Sequence, residues 1–225
     1  MRLNKFIAQA GVCSRRKADE LIQNGQIRVN GRIIKELGTI IDENNDEVQI
    51  GQRKLDLSSG KVYYALNKPV GYIASATSAQ GKSVMELLRA VKERIYPVGR
   101  LDKDSRGLII LTNDGDFAYQ LTQAKFGFEK EYEVMLDRPL LAKDKKIFER
   151  GIILDGKELH PVKVVSQNGN RINLILKEGV NRQIRRMAEK QGYDVLDLKR
   201  IRIAKLKLGN LKEGGYIHIR PSDVI

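Results

Sequence analysis

A chain of 225 residues that is 41% hydrophobic and 31% charged has enough apolar material for one or two cores, which excludes a disordered class. Its 41 Lys and Arg against 28 Asp and Glu leave a net charge of +13, which points to a polyanionic partner such as nucleic acid. No apolar run approaches the roughly 20 residues that span a bilayer, the apolar start is broken at Gln9, and Cys13 is the only cysteine, so no membrane segment, no signal peptide, no intrachain disulfide and a cytoplasmic location are expected. His160 and His218 stand far apart, so no metal site is expected.

In chain order, Leu3, Phe6, Ile7 and Ala10 make one apolar helical face that Gly11 stops. Ser14 can cap a second helix whose inward face is Ala18, Leu21 and Ile22. Arg15, Arg16 and Lys17 crowd its first turn, at the positive end of the helix dipole, so they do not serve helix stability. Ile27 and Val29 alternate with Arg28 up to an Asn30-Gly31 turn, which reads as a β-hairpin. With eight Lys or Arg against two acids in residues 1–35, Ser14, Arg15, Arg16 and Lys17 are candidate RNA-phosphate contacts. The helix, the SRRKADELI step and the VNG turn resemble the RNA-binding module of the small-subunit ribosomal protein S-four type.

Residues 53–60, ending in Ser-Ser-Gly, lose periodicity and read as a linker between a module at 1–52 and a domain at 61–225. Residues 62–66 read as a strand that breaks at Lys68-Pro69. Gly81-Lys82-Ser83 is not a phosphate loop, because Ala76 stands where the cradle needs glycine; Ser83 and Glu86 instead cap a helix with Val84, Leu87, Leu88 and Val91 inward. The stretch VGRLDKDSRGLIILTND then sets Asp102 and Asp104 on a cationic turn before a buried strand, Leu108 to Leu111. Residues 115–122 read as a helix with Phe117 and Leu121 inward, and residues 128–134 as a strand with Tyr132 and Val134 on one face and charges on the other. A further helical stretch lies within 136–149, and strands follow at 151–154, 162–165 and 172–176.

A last helix opens at Asn181, buries Ile184, Met187 and Ala188, and presents Arg182, Arg186 and Lys190 outward, with Arg185 between that face and the core. Ten Lys or Arg against four acids between Lys177 and Lys207 mark a second RNA-facing region, with Asn181, Arg182, Gln183 and Arg186 as candidate contacts. The expected fold is α+β: a small N-terminal α/β RNA-binding module and a larger domain on a mainly antiparallel mixed sheet with flanking helices.

LNKPVG (66–71), GRLDKDSRGLIILTNDG (99–115), EKEY (129–132) and EGVNRQIRRM (178–187), in this order behind the basic module, resemble the RsuA/RluB/RluF-type pseudouridine synthases of bacterial ribosomal RNA. The resemblance implies an isomerase that flips a uridine out of its stack and remakes its glycosidic bond, with no cofactor. It implies that Asp102 is the catalytic aspartate, acting on the sugar as nucleophile or as base. It also implies that Tyr132 packs on the base, that Arg185 pairs with Asp102, and that Arg100 and Lys68 line the cleft. The implied partner is ribosomal RNA, of the large more than the small subunit, or an assembling subunit, met by a monomer. The rival readings are a non-catalytic ribosome-assembly factor, which would not need Asp102, Tyr132 and Arg185, and a methyltransferase, which would need a glycine-rich cofactor turn.

Overall fold

The computed structural model describes residues 1–57, 60–79 and 81–225. The chain divides into two compact units, residues 1–62 with 92–94 and 113–115, and the remainder. In the first, helices α1 (Leu3–Gln9) and α2 (Arg15–Gln23) pack beside an antiparallel sheet of β1 (Ile27–Val29), β2 (Arg32–Ile34), β3 (Val48–Ile50) and β4 (Arg53–Lys54), in the order β2-β1-β3-β4. Leu3, Phe6, Ile7, Ala18, Ile22, Ile27 and Val48 are its core, which is the apolar face expected for both helices. Ser14 accepts a hydrogen bond from the Lys17 N–H and caps α2.

The expected linker starts too early. Arg53 and Lys54 pair with Ile50 and Gln49, and Leu55 is buried, so the sheet continues where periodicity fades. A two-residue edge strand is too short to show alternation. The Ser58-Ser59 step of the expected linker lies outside the described residues.

The second unit runs β5 (Tyr63–Lys68), β6 (Tyr96–Val98), β7 (Arg106–Thr112), α3 (Gly115–Thr122), β8 (Lys130–Leu136), α4 (Ala142–Arg150), β9 (Ile153–Leu154), β10 (Lys157–Glu158), β11 (Lys163–Asn168), β12 (Arg171–Leu176), α5 (Gln183–Lys190), β13 (Val195–Ile203), β14 (Leu206–Lys207) and β15 (Tyr216–His218). Its main sheet has the order β11-β12-β8-β13-β7-β5-β15, with β14 on β13 and β6 on β7. Among the described strands only β13 and β7 pair in parallel, so the sheet is mixed and mainly antiparallel, as expected. Val134, Leu174, Phe148, Ile184 and Met187 fill one core, and Tyr63, Leu108, Ile110, Phe117 and Ile203 fill another. Residues 84–88 form a 3₁₀ turn rather than a longer helix, although the capping box of Ser83 and Glu86 is present.

The central β13 is not among the expected elements, because its charged residues mask its alternation. It meets β7 at Gly107, whose φ is +104°, and a Cβ there would lie 2.3 Å from the Arg200 carbonyl oxygen. Only glycine permits that approach. The junction stands directly after the Asp102 turn and fixes where the turn emerges from the sheet.

Candidate active site

The turn from Arg100 to Arg106 is held from several sides. The Ser105 N–H donates to the Asp102 carbonyl (3.1 Å), and the Gly71 N–H donates to the Lys103 carbonyl (2.8 Å). From β13, Arg200 Nε donates to the Leu108 carbonyl (2.7 Å) and Nη1 reaches the Arg100 carbonyl (3.4 Å). Arg106 makes a two-bond fork to Asp197 (2.9 and 2.7 Å). From the start of α5, Arg182 forks onto the Asp104 carboxylate (3.1 and 3.0 Å). Arg185 Nη2 donates to the Asp104 carbonyl (2.9 Å), Nη1 donates to the Val195 carbonyl (2.7 Å), and Nε lies 3.2 Å from the Asp104 carboxylate.

Arg185 therefore pairs with Asp104, not with Asp102. The reason is local: Arg182, in the left-handed region at φ +49°, starts α5 in place of the expected Asn181 and brings both guanidinium groups over the same acid. Partial burial works against ionising Asp104, but the Arg182 hydrogen bonds and the charges of Arg185 and Arg182 hold its carboxyl below the ordinary value.

Beneath the turn lies a cavity of about 220 Å³. A cavity of roughly 150 Å³ holds a benzene ring, so this one has room for a base-sized group. It is lined by Asp102, Tyr132, Lys130, Arg200, Arg100 and Ser105, and by Glu178, Asn181, Arg182 and Gln183 from the loop into α5. Two of these are acids. Buried Glu178 accepts from the His160 N–H (2.9 Å) and from Gln183 Nε2 (2.9 Å), so its carboxylate is engaged. The half-buried Asp102 side chain makes no hydrogen bond or ion pair among the described residues.

Of the residues singled out from sequence, Asp102, Tyr132, Arg100, Asn181, Arg182 and Gln183 line this one cavity. Two of the expected RNA contacts are corrected by burial. Lys68 is 0% exposed, and its ammonium donates to the carbonyls of Pro69 (3.0 Å) and Tyr72 (2.8 Å). Burial pushes it down to about 8, against the pull of Asp104 and Asp102, so Lys68 stitches the 69–72 turn and does not face RNA. Gln183 is also buried, spending its amide on Glu178 and on the Val180 N–H. Arg186 pairs with Asp155 at 2.6 Å and is not among the cavity residues. Ser14, Arg15, Arg16 and Lys17 are exposed in the first unit, with Lys17 paired to Glu20 at 2.7 Å.

Lys130 and Arg200 also line the cavity, and neither is a site candidate from sequence. The alternation of residues 128–134 sets Lys130 with the outward charges, yet a period of two puts it on the face of Tyr132. Arg200 follows buried Leu198 at the same spacing, so an arginine at an inward position of β13 was the available signal.

Compared with known proteins, residues 62–190 match the family described as RNA pseudouridylate synthase, and residues 1–48 match the S4 domain. The chain is similar to Ribosomal large subunit pseudouridine synthase B of Bacillus subtilis (strain 168), with 38% identity over 234 residues covering 99% of this chain and 93% of that protein. It is similar to Dual-specificity RNA pseudouridine synthase RluF of Escherichia coli (strain K12), with 34% identity over 229 residues covering 100% of this chain and 77% of that protein. A crystal structure of a pseudouridylate synthase matches with a TM-score of 0.72 at 30% identity, covering 99% of this chain and 97% of that one.

Proposed function

From a chain that belongs to the RNA pseudouridylate synthase family and carries an S4 domain, we propose an enzyme that isomerises one uridine of large-subunit ribosomal RNA, with Asp102 acting at the sugar. The observation that carries the assignment of Asp102 is its freedom: of the two carboxylates lining the cavity it is the one without a hydrogen-bond or ion-pair partner among the described residues. Tyr132 supplies a ring against which the extruded base packs. Arg185 acts at one remove, as a positioning residue that holds the turn through Asp104. The large subunit is favoured by the name of the Bacillus subtilis relative. Ser14, Arg15, Arg16 and Lys17 form a cationic surface for RNA phosphates on the S4 domain, and Arg100 and Asn181 meet the RNA at the cavity mouth. The enzyme works as a cytoplasmic monomer, with one S4 domain serving the Asp102 cavity of the same chain.

The test is release of tritium from ring position five of uridine in transcripts of both ribosomal RNAs, followed by mapping of the modified position. Release from the large-subunit transcript alone is expected. Release from the small-subunit transcript alone overturns the substrate, and no release from either overturns the activity. Light scattering of the purified chain checks the monomer.

A further inference from the structure

Two cations on the sheet side of the cavity, Lys130 and Arg200, make no ion pair among the described residues. On the sheet, Arg200 of β13 is the register partner of Tyr132 on β8, and Lys130 is two residues from Tyr132 on the same strand, so all three side chains share one face. All three line the cavity. Arg200 is 4% exposed, and its Nη2 is buried without a hydrogen-bond partner. Lys130 is half-buried and makes no hydrogen bond or ion pair among the described residues. The acids beside it in sequence are occupied elsewhere: Glu129 and Glu131 both accept from Arg202 (3.1 and 2.8 Å). A buried guanidinium N–H and a half-buried ammonium, both without partners among the described residues and both on the sheet face that lines the cavity, prepare a place for an anion.

Resting on the function proposed above, we propose that Lys130 and Arg200 bind the uracil while it is detached from the sugar and carry the negative charge it then holds. Cleavage of the bond between C1′ and N1 leaves the electron pair on N1, whether Asp102 bonds to C1′ or removes the C2′ proton. That charge spreads over N1, O2 and O4 of the ring. After the ring turns, C5 supplies a pair to form the bond to C1′ as the Asp102–C1′ bond breaks back to the carboxylate, or as Asp102 returns its proton to C2′; N1 then gains a proton and C5 loses one, so the net change is an isomerisation. A cationic floor favours the detached state over the intact nucleoside, which is neutral at the ring, and therefore acts on the rate more than on binding.

The ionisable groups that share the cavity with Lys130 are Asp102 and Arg100 on the turn, Tyr132 on β8, Glu178 and Arg182 before α5, and Arg200 on β13. Burial, then the charge of Arg200, push Lys130 down to about 8. Its charge is thus present at neutral pH and lost above that value.

The test uses the full chain and two readouts. In the first, Lys130→Met lowers kcat about 10²-fold with KM for the transcript nearly unchanged. Lys130→Arg restores most of kcat and removes the fall in rate above pH about 8. In the second, fluorine NMR of free 5-fluorouracil titrated with the protein reads the acidity of the bound base without any turnover. The wild type makes the base more acidic, and Lys130→Met abolishes the effect. Arg200→Lys, which keeps a cation but loses the fork to the turn, separates charge from scaffold by its melting temperature. An unchanged kcat in Lys130→Met, a rise in KM alone, or an unchanged acidity shift overturns the proposal. If the wild type releases no tritium, the isomerase reading fails by itself, and the fluorine readout still decides whether the floor binds a uracil anion.

Discussion

Asp102 and Asp104 stand two residues apart on one turn and have opposite surroundings. Asp104 takes a fork from Arg182 and the nearby charge of Arg185, while Asp102 takes no partner among the described residues. The same division runs through the cations: Arg106, Arg182, Arg185 and Lys68 are committed to holding the turn and the segments around it, whereas Lys130 and one buried nitrogen of Arg200 have no partner among the described residues. In a strongly basic domain, paired charges fix geometry and unpaired ones are available for a substrate. Leaving charges unpaired in a half-buried cavity lowers stability, which is the familiar trade at functional sites.

Breaking the unpaired side first should give the largest effect. Asp102→Asn is expected to lower turnover by on the order of 10³-fold or more, while the melting temperature and RNA affinity stay near wild type because no partner among the described residues is lost. Equal loss of turnover and RNA binding would make Asp102 a binding residue. Gly107→Ala attacks the frame beneath both acids. Its Cβ would lie 2.3 Å from the Arg200 carbonyl, so the β7–β13 junction must part; destabilisation of about 3 kcal/mol is expected in denaturant unfolding.

The paired side should respond differently. In Asp104→Asn, Arg185, 14% exposed, loses its ionic partner. Asp104 itself is 45% exposed, so solvent screening reduces the cost to about 1 kcal/mol, with a fall in melting temperature of roughly 2–4 °C. Turnover falls far less than in Asp102→Asn. Because the Asp104 carboxyl is held below its ordinary value, its stabilisation is present above that value and is lost as pH falls through the folded one. Acid unfolding of Asp104→Asn should lack this share of the pH dependence.

The smallest effect sharpens the cation side. Lys68 and Lys130 are both lowered to about 8, so the unfolded chain binds more protons between about 8 and 10.5, and stability rises with pH across that window. Lys130→Met should be more stable than wild type at pH 7 and should show a shallower rise, as read by thermal melts from pH 7 to 10. A variant less stable than wild type at pH 7 would mean that Lys130 supports the fold.

Much of the architecture was legible in local pattern. Caps, turn dipeptides and short apolar faces located both N-terminal helices, the first hairpin, α3 and the buried face of α5, because those signals depend on near neighbours in sequence. Motif order and residue type single out Asp102, Tyr132 and Arg182 as residues. They do not single out the partners. Whether Arg185 reaches Asp102 or Asp104, whether Lys68 faces solvent or is sealed in a turn, and whether Lys130 points with Tyr132 are decided by strand register and by where α5 begins. A chain carrying 41 cations offers many partners for every carboxylate. The sequence by itself determined which acid, ring and cations were present and on what kinds of element. Only the tertiary structure decided which charges are neutralised and which stay open, because pairing over a few Å joins residues roughly 80 positions apart in the chain.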